Sequence, residues 1–373
     1  MPSSVVRTPG CLHPGDGVRR STADTGVGRY IWSSIWIGLA CHLLLTAAAG
    51  AQDSKPAEMT DADLVKMAHE IEKEVEAIRG WKFKHEVKTA VYGEEQLRKF
   101  IEKRLFEEEM GGGKLEQTQA MLRMLGLIPA DCDVRKTMMD VLLNQIGGFY
   151  DPPSRSFFML KRSGVTYSPA FSRVLIAHEL THALDDQYVD LDKLLKGPDL
   201  TEDRGMAIGA VVEGSATQLM TVYMLRLMKS GKLDHDELGQ VMKDEMAKSE
   251  VFTRAPRYFT TLLANYICGM YFVVNGDVQG LAGENGDAVA DNVLKALKNP
   301  PQSAEQVLHP EKYWKKSLRD LPVVIDDGDV EKRLTGNGRF VVHKNTLGEL
   351  RSEERRVGKE CLGRCRSRWS PDH

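Results

Sequence analysis

Residues 52–350 of this 373-residue chain predict a mainly helical α+β fold with a small β-hairpin ahead of its central helix. Three observations carry that prediction. Apolar residues recur at three- and four-residue steps through most segments. One stretch, residues 146–160, instead sets aromatic and aliphatic flanks around Asp151-Pro152-Pro153-Ser154, where prolines cannot sit inside a ladder. No internal repeat or low-complexity tract interrupts the pattern.

The elements follow in order. Leu64, Met67, Ala68, Ile71, Val75 and Ile78 share one face of a helix over Glu58–Arg79, with Thr60 and Asp61 as N-cap residues. Lys84–Val91 alternates partially and carries β-branched residues, which predicts a strand. Helical spacing returns over Glu94–Glu109 until Gly111–Gly113 breaks it. No Lys-Ser/Thr follows those glycines at P-loop spacing, so they form a loop and not a phosphate cradle. Gln117–Leu125 and Val134–Gln145 are two further helices, Ile146–Tyr150 and Ser156–Leu160 the strands of the hairpin. Beyond Pro169 helices dominate: Ala170–Asp186, Gly205–Met228, Leu238–Lys248 and Tyr258–Val274. The body thus divides into a helical N-terminal region, 52–145, and a region, 146–350, that carries the chemistry.

Both ends differ from the middle. Ile31–Gly50 is an apolar run preceded by Arg19, Arg20 and Arg29 and followed by Ala49-Gly50-Ala51, the pattern of an export signal removed with residues 1–51. The expected destination is therefore periplasmic or extracellular. Left uncleaved, the run has the ~20 residues that a membrane anchor needs. A lipoprotein attachment at Cys41 is disfavoured by Gly38 and by the apolar residues beyond the cysteine. The segment from Arg351, RSEERRVGKECLGRCRSRWSPDH, is basic and aperiodic. It resembles the translation of a common sequencing adapter, which implies that residues 351–373 are an appended tail and that Cys361 and Cys365 carry no metal or redox meaning.

The net charge of −3 splits into +2 for residues 1–51, +3 for 351–373 and −8 for 52–350. An acidic body of this kind excludes nucleic acid as the expected partner. Of six cysteines only Cys132 and Cys268 lie in the body, too few for a disulfide-stapled scaffold.

The stretch Ala177–Gln187, AHELTHALDDQ, carries the chemistry. On a helix His178 and His182 fall one turn apart on one side, so both imidazoles can reach one ion. A catalytic zinc takes three protein ligands and a water, and one helix supplies two of the three at fixed spacing. Glu179 stands beside the first histidine, where its carboxylate can take a proton from water. H-E-x-x-H arises by chance in roughly one chain of this length in a hundred, so the context must decide. Glu213 decides it: a lone carboxylate 31 positions after His182, within Ala207–Ala216 (AIGAVVEGSA), is costly to bury unless it is paired or coordinated. A salt bridge to Arg204 or Lys229 is the alternative for Glu213. Asp185, Asp186, Asp190, Glu202 and Asp203 are rival ligands, of which Asp185 or Asp186 better suits a hydrogen bond to a ligand imidazole. Gly209, Gly214 and Ala216 are expected to let the Glu213 helix approach the histidine helix closely.

HELTHALDDQ, followed by VVEGSAT, preceded by GFYDPPSRSFFML and trailed by PPQSAEQVLHPEKY, resembles a group of bacterial metallopeptidases of the glutamate-zincin (gluzincin) kind. The resemblance runs from about Ile78 to Tyr313. It implies a zincin-like fold, Zn²⁺ held by His178, His182 and Glu213, Glu179 as catalytic acid/base, and a peptide or protein as substrate. Many members of that group carry an acidic residue where Ser215 stands. A further donor for the developing oxyanion has four candidates: His309, Tyr266, Tyr258 and Arg257. The strand Ser156–Leu160 offers an edge for an extended substrate. From another class, a non-catalytic binding or scaffold domain with a structural metal fits the same residues.

Overall fold

The computed structural model describes residues 59–161, 168–196, 200–233, 236, 239, 255–260, 262–275, 286–323, 326, 328–336 and 345–349. Leu238–Lys248 as a helix (apart from residue 239), the apolar run before Ala51 and the tail from Arg351 lie outside the described residues.

Helix α1, Asp61–Arg79, starts three residues later than its pattern suggests, because Thr60 and Asp63 form a reciprocal capping box. It stops at Gly80, whose φ of 75° only glycine adopts without strain. Strand β1 is Lys88–Tyr92, and α2, Glu94–Ile101, runs on in wider π turns over Glu102–Glu109. Then come α3, Lys114–Met124, and α4, Val134–Gln145. The hairpin of β2, Gly148–Asp151, and β3, Ser156–Leu160, precedes α5, Pro169–Asp186. A single turn, α6, Leu191–Leu194, leads to α7, Glu202–Lys229. Next are α8, Arg257–Thr260, α9, Leu262–Val273, α10, Gly286–Lys298, α11, Ala304–Leu308, α12, Glu311–Trp314, and α13, Gly328–Gly336. The molecule is thus mainly helical with a three-stranded sheet, in the order β1-β3-β2.

That order corrects one expectation. β3 is the central strand, paired in parallel with β1 and antiparallel with β2, so both of its edges are occupied and it offers none to a substrate. The sequence shows the hairpin, but a parallel partner more than sixty residues upstream leaves no local signal.

Helix α5 is buried on nearly every side, from Ala170 to Asp185. One apolar cluster surrounds it, joining Ile71 and Val75 of α1, Ile101 of α2, Leu142 of α4, Phe157 of β3 and Leu219 of α7. Packing is therefore continuous across the boundary expected at 145/146. A second cluster joins Ile208 and Val211 of α7 to Leu191, Phe272, Val293 and Leu297. α7, 28 residues long, contributes to both.

The glycines of α7 do different work from that expected. Gly214 meets α9 and not α5: a Cβ on it would lie 2.0 Å from the Gly269 carbonyl carbon, and one on Gly269 would lie 1.9 Å from the Ala210 carbonyl oxygen. The α7 and α9 backbones touch here. Gly209 faces Asn265 of the same helix with room for a methyl group. Cys132 and Cys268 are both free thiols. Among the described residues no helix is long and apolar enough to cross a membrane.

Candidate metal centre

The centre is assembled by two helices and one strand. Ser168 caps α5 through Phe171 N, with Pro169 at its first position, and this fixes the rotation of the turns that carry His178 and His182. α7 lies against α5 and brings Glu213 to the same point. The Nε2 atoms of His178 and His182 are 3.1 Å apart. Glu213 Oε2 lies 3.3 Å from His178 Nε2, and its Oε1 lies 3.7 Å from His182 Nε2. All three side chains are buried, as is Glu179.

These distances have a simple meaning. Atoms bound at about 2.0–2.1 Å to a tetrahedral ion stand about 3.3–3.4 Å apart, close to the three spacings found here. Both Glu213 oxygens are buried without a proper hydrogen bond, as are the Nδ1 atoms of both rings. The two Nε2 atoms and both Glu213 oxygens thus crowd one buried point, an arrangement that a shared cation would satisfy. The buried group His178, His182 and Glu213 can hold a metal ion.

Without metal the same groups share a proton. Burial drives His178 down to about 4. Burial also works against charge on His182, but Glu213 outweighs it and lifts that imidazole to about 9. Burial would raise the Glu213 carboxyl, yet the His182 charge holds it below the usual range. A metal must then displace the His182 proton. Its apparent affinity should rise about tenfold per pH unit from pH 6 toward pH 9 for one displaced proton, read by competition with a chromophoric chelator. A flat profile would mean that His182 enters the site neutral.

Glu179 follows His178 in the chain, and its buried carboxyl feels the charges of both His182 and Glu213. The Tyr150 backbone N–H of β2 donates to its Oε2 at 2.9 Å, while Oε1 is buried without a partner. Burial raises this carboxyl to about 8. The Tyr150 hydroxyl in turn donates to Asp186 at 2.8 Å, tying β2 to the end of α5.

The rival ligands all have other tasks. Asp186 accepts from Tyr150 and Leu191 N, and Asp190 caps α6 through Lys193 N. Glu202 accepts from the Tyr258 hydroxyl, and Asp203 from Ala304 N. Asp185 accepts from the Ser215 hydroxyl at 2.5 Å and faces Arg79 at 3.8 Å, all three buried. Neither Asp185 nor Asp186 is bonded to a ligand imidazole, which corrects that expectation. The salt bridge of Glu213 to Arg204 or Lys229 is not formed either; its partners are the two histidines.

Sequence reasoning missed Arg79. Its guanidinium donates to the Ser215 hydroxyl at 2.7 Å and to the Ser215 carbonyl at 3.2 Å, so one buried cation locks α1, α5 and α7 together one turn from the ligands. A basic residue in the last turn of an amphipathic helix reads as an ordinary dipole partner, and nothing local distinguishes it.

The expected oxyanion donors scatter. Tyr266 is buried, with its ring 6.0 Å from that of His178 and nearly parallel to it. Tyr258 is engaged with Glu202. His309, just after α11, lies 3.2 Å from Glu349 and does not join the triad. The Arg257 side chain lies outside the described part.

Comparison with protein-family models, curated proteins and solved structures gave no match.

Proposed function

We propose that the protein is a zinc-dependent hydrolase of the gluzincin type, cleaving peptide bonds after export. The observation that supports this most is the convergence of two imidazoles and one carboxylate, all buried, beside a carboxylate with one oxygen held and one unpartnered. Two histidines and a carboxylate are a donor set that suits zinc. When bound, zinc supplies Lewis acidity, polarising a carbonyl oxygen and making water nucleophilic near neutral pH.

The protein's own residues supply the rest. His178, His182 and Glu213 would hold the ion with little reorganisation, because helix packing already sets their spacing. The Tyr150 N–H orients Glu179, leaving Oε1 to accept a proton from water and then deliver it to the departing nitrogen. A pKa raised to about 8 in the metal-free state suits a group that must both take and return a proton, and a nearby cation draws it lower. Tyr266 lies alongside His178, nearly parallel to it, with the ring centres 6.0 Å apart.

Zinc content and chelator-sensitive cleavage of a mixed peptide library by the purified full chain test the proposal. One equivalent of zinc with cleavage abolished by chelation and restored by zinc is the expected result; bound zinc without cleavage favours the scaffold reading. Replacing Glu213 by Gln should weaken zinc binding by more than the ~10–100-fold that a change around the ligands costs. Retention of a full equivalent after dialysis would remove Glu213 from the ligand set.

A further inference from the structure

A second concavity, of ≈ 550 Å³, opens between the α5–α6 connection, the first turns of α7 and the end of α10. None of its lining residues belongs to the metal triad. Its size falls within the ~300–1,000 Å³ of small-molecule sites. Leu194, Leu200, Ile208 and Leu297 give it an apolar floor. Around that floor stand three cations, Lys193, Arg204 and Lys298.

None of the three makes a side-chain ion pair or hydrogen bond among the described residues, and the Arg204 Nε is buried with its donor unsatisfied. The one acid of the lining, Asp190, is committed to capping α6. Lys193 and Lys298 are exposed, as unpaired lysines commonly are; what singles out the pocket is Arg204, half-buried with an unmet donor. A half-buried guanidinium over an apolar floor, left with an unmet donor, is arranged for an anion that brings its own apolar surface.

We infer that this pocket binds a carboxylate carried on an apolar body, with Arg204 as the principal anchor and Lys193 and Lys298 as flanking charges. Two sources share that chemistry: a medium-chain carboxylic acid and the free C-terminus of an apolar peptide. The inference does not depend on the hydrolase reading, and its test reads binding and not cleavage.

Decanoate, acetyl-trileucine and the amide of each are titrated calorimetrically into the full chain after dialysis against chelator, so that no metal at the triad contributes. One equivalent of at least one acid should bind, about tenfold or more tighter than its amide, as expected for a charge-assisted hydrogen bond. Arg204→Gln should abolish that preference, and the exposed Lys298→Gln should weaken the acid by about threefold. Preference for decanoate identifies the small acid as the ligand, and preference for the peptide acid identifies a chain terminus. Because Arg204 has no partner to lose, Arg204→Gln should also leave Tm nearly unchanged. Equal binding of acids and amides, no saturable binding, or a Tm fall with the preference intact would overturn the site.

Discussion

Glu179→Gln should keep a full equivalent of zinc and lose about 10²–10⁴-fold in peptide cleavage, the range that positioned acid–base groups contribute. The substitution is close to isosteric, and the strand tells how it will sit. The Tyr150 N–H donates and needs an acceptor opposite it, so the new amide must place its carbonyl oxygen there and its NH₂ where Oε1 now lies. An amide in that place cannot take a proton from water. The ligands are untouched, so elemental analysis separates the outcomes: zinc retained with cleavage lost assigns the proton transfer to Glu179. Cleavage within tenfold of the parent would assign it elsewhere.

Gly269→Ala should cost stability on a scale that few single methyl groups reach. Its Cβ would fall inside contact distance of the Ala210 backbone, which cannot rotate away as a side chain can, so α7 and α9 must separate. Overpacking of this kind costs about 3 kcal/mol, which for a chain of this size lowers Tm by roughly 4–5 °C. Glu213 lies on the strained part of α7, so zinc affinity should fall as well. Gly209→Ala is the control. Its methyl group would meet only the Asn265 side-chain nitrogen at 3.4 Å, and it gains up to about 1 kcal/mol of helix propensity. Equal Tm for both variants, measured by calorimetry, would show that the helices do not touch through Gly269.

The group that can hold a metal is the most legible part of the chain. Helix geometry turns an i, i+4 histidine pair into a two-armed site whatever the tertiary fold. Glu213 stood out because a carboxylate among Ala, Val and Gly must have a buried partner. Interhelical choices were not legible. Which helix Gly214 approaches, and which carboxylate Arg79 meets, depend on how α7 rotates against α5 and α9, and a one-dimensional pattern does not encode that rotation. Asp185 and Asp186 illustrate the limit: hydrogen bonding to an imidazole and bonding to Ser215 or Tyr150 require the same residue type. The third strand was lost for a related reason, since Lys84–Val91 announced a strand but not its neighbour. Helix α10 went unread although its apolar residues fall on one face, because Val289, Ala290, Val293 and Leu297 follow a glycine-rich stretch that reads as loop.

α7 carries Glu213 near its middle and Arg204 near its start, on one uninterrupted helix without proline. At 1.5 Å of rise per residue, the nine steps from one to the other set an axial separation of about 13 Å. That spacing cannot be adjusted by loop motion; only bending the rod itself would change it. Two occupants, one at each position, would therefore be held at a constant interval, and a single molecule reaching both would have to match that length.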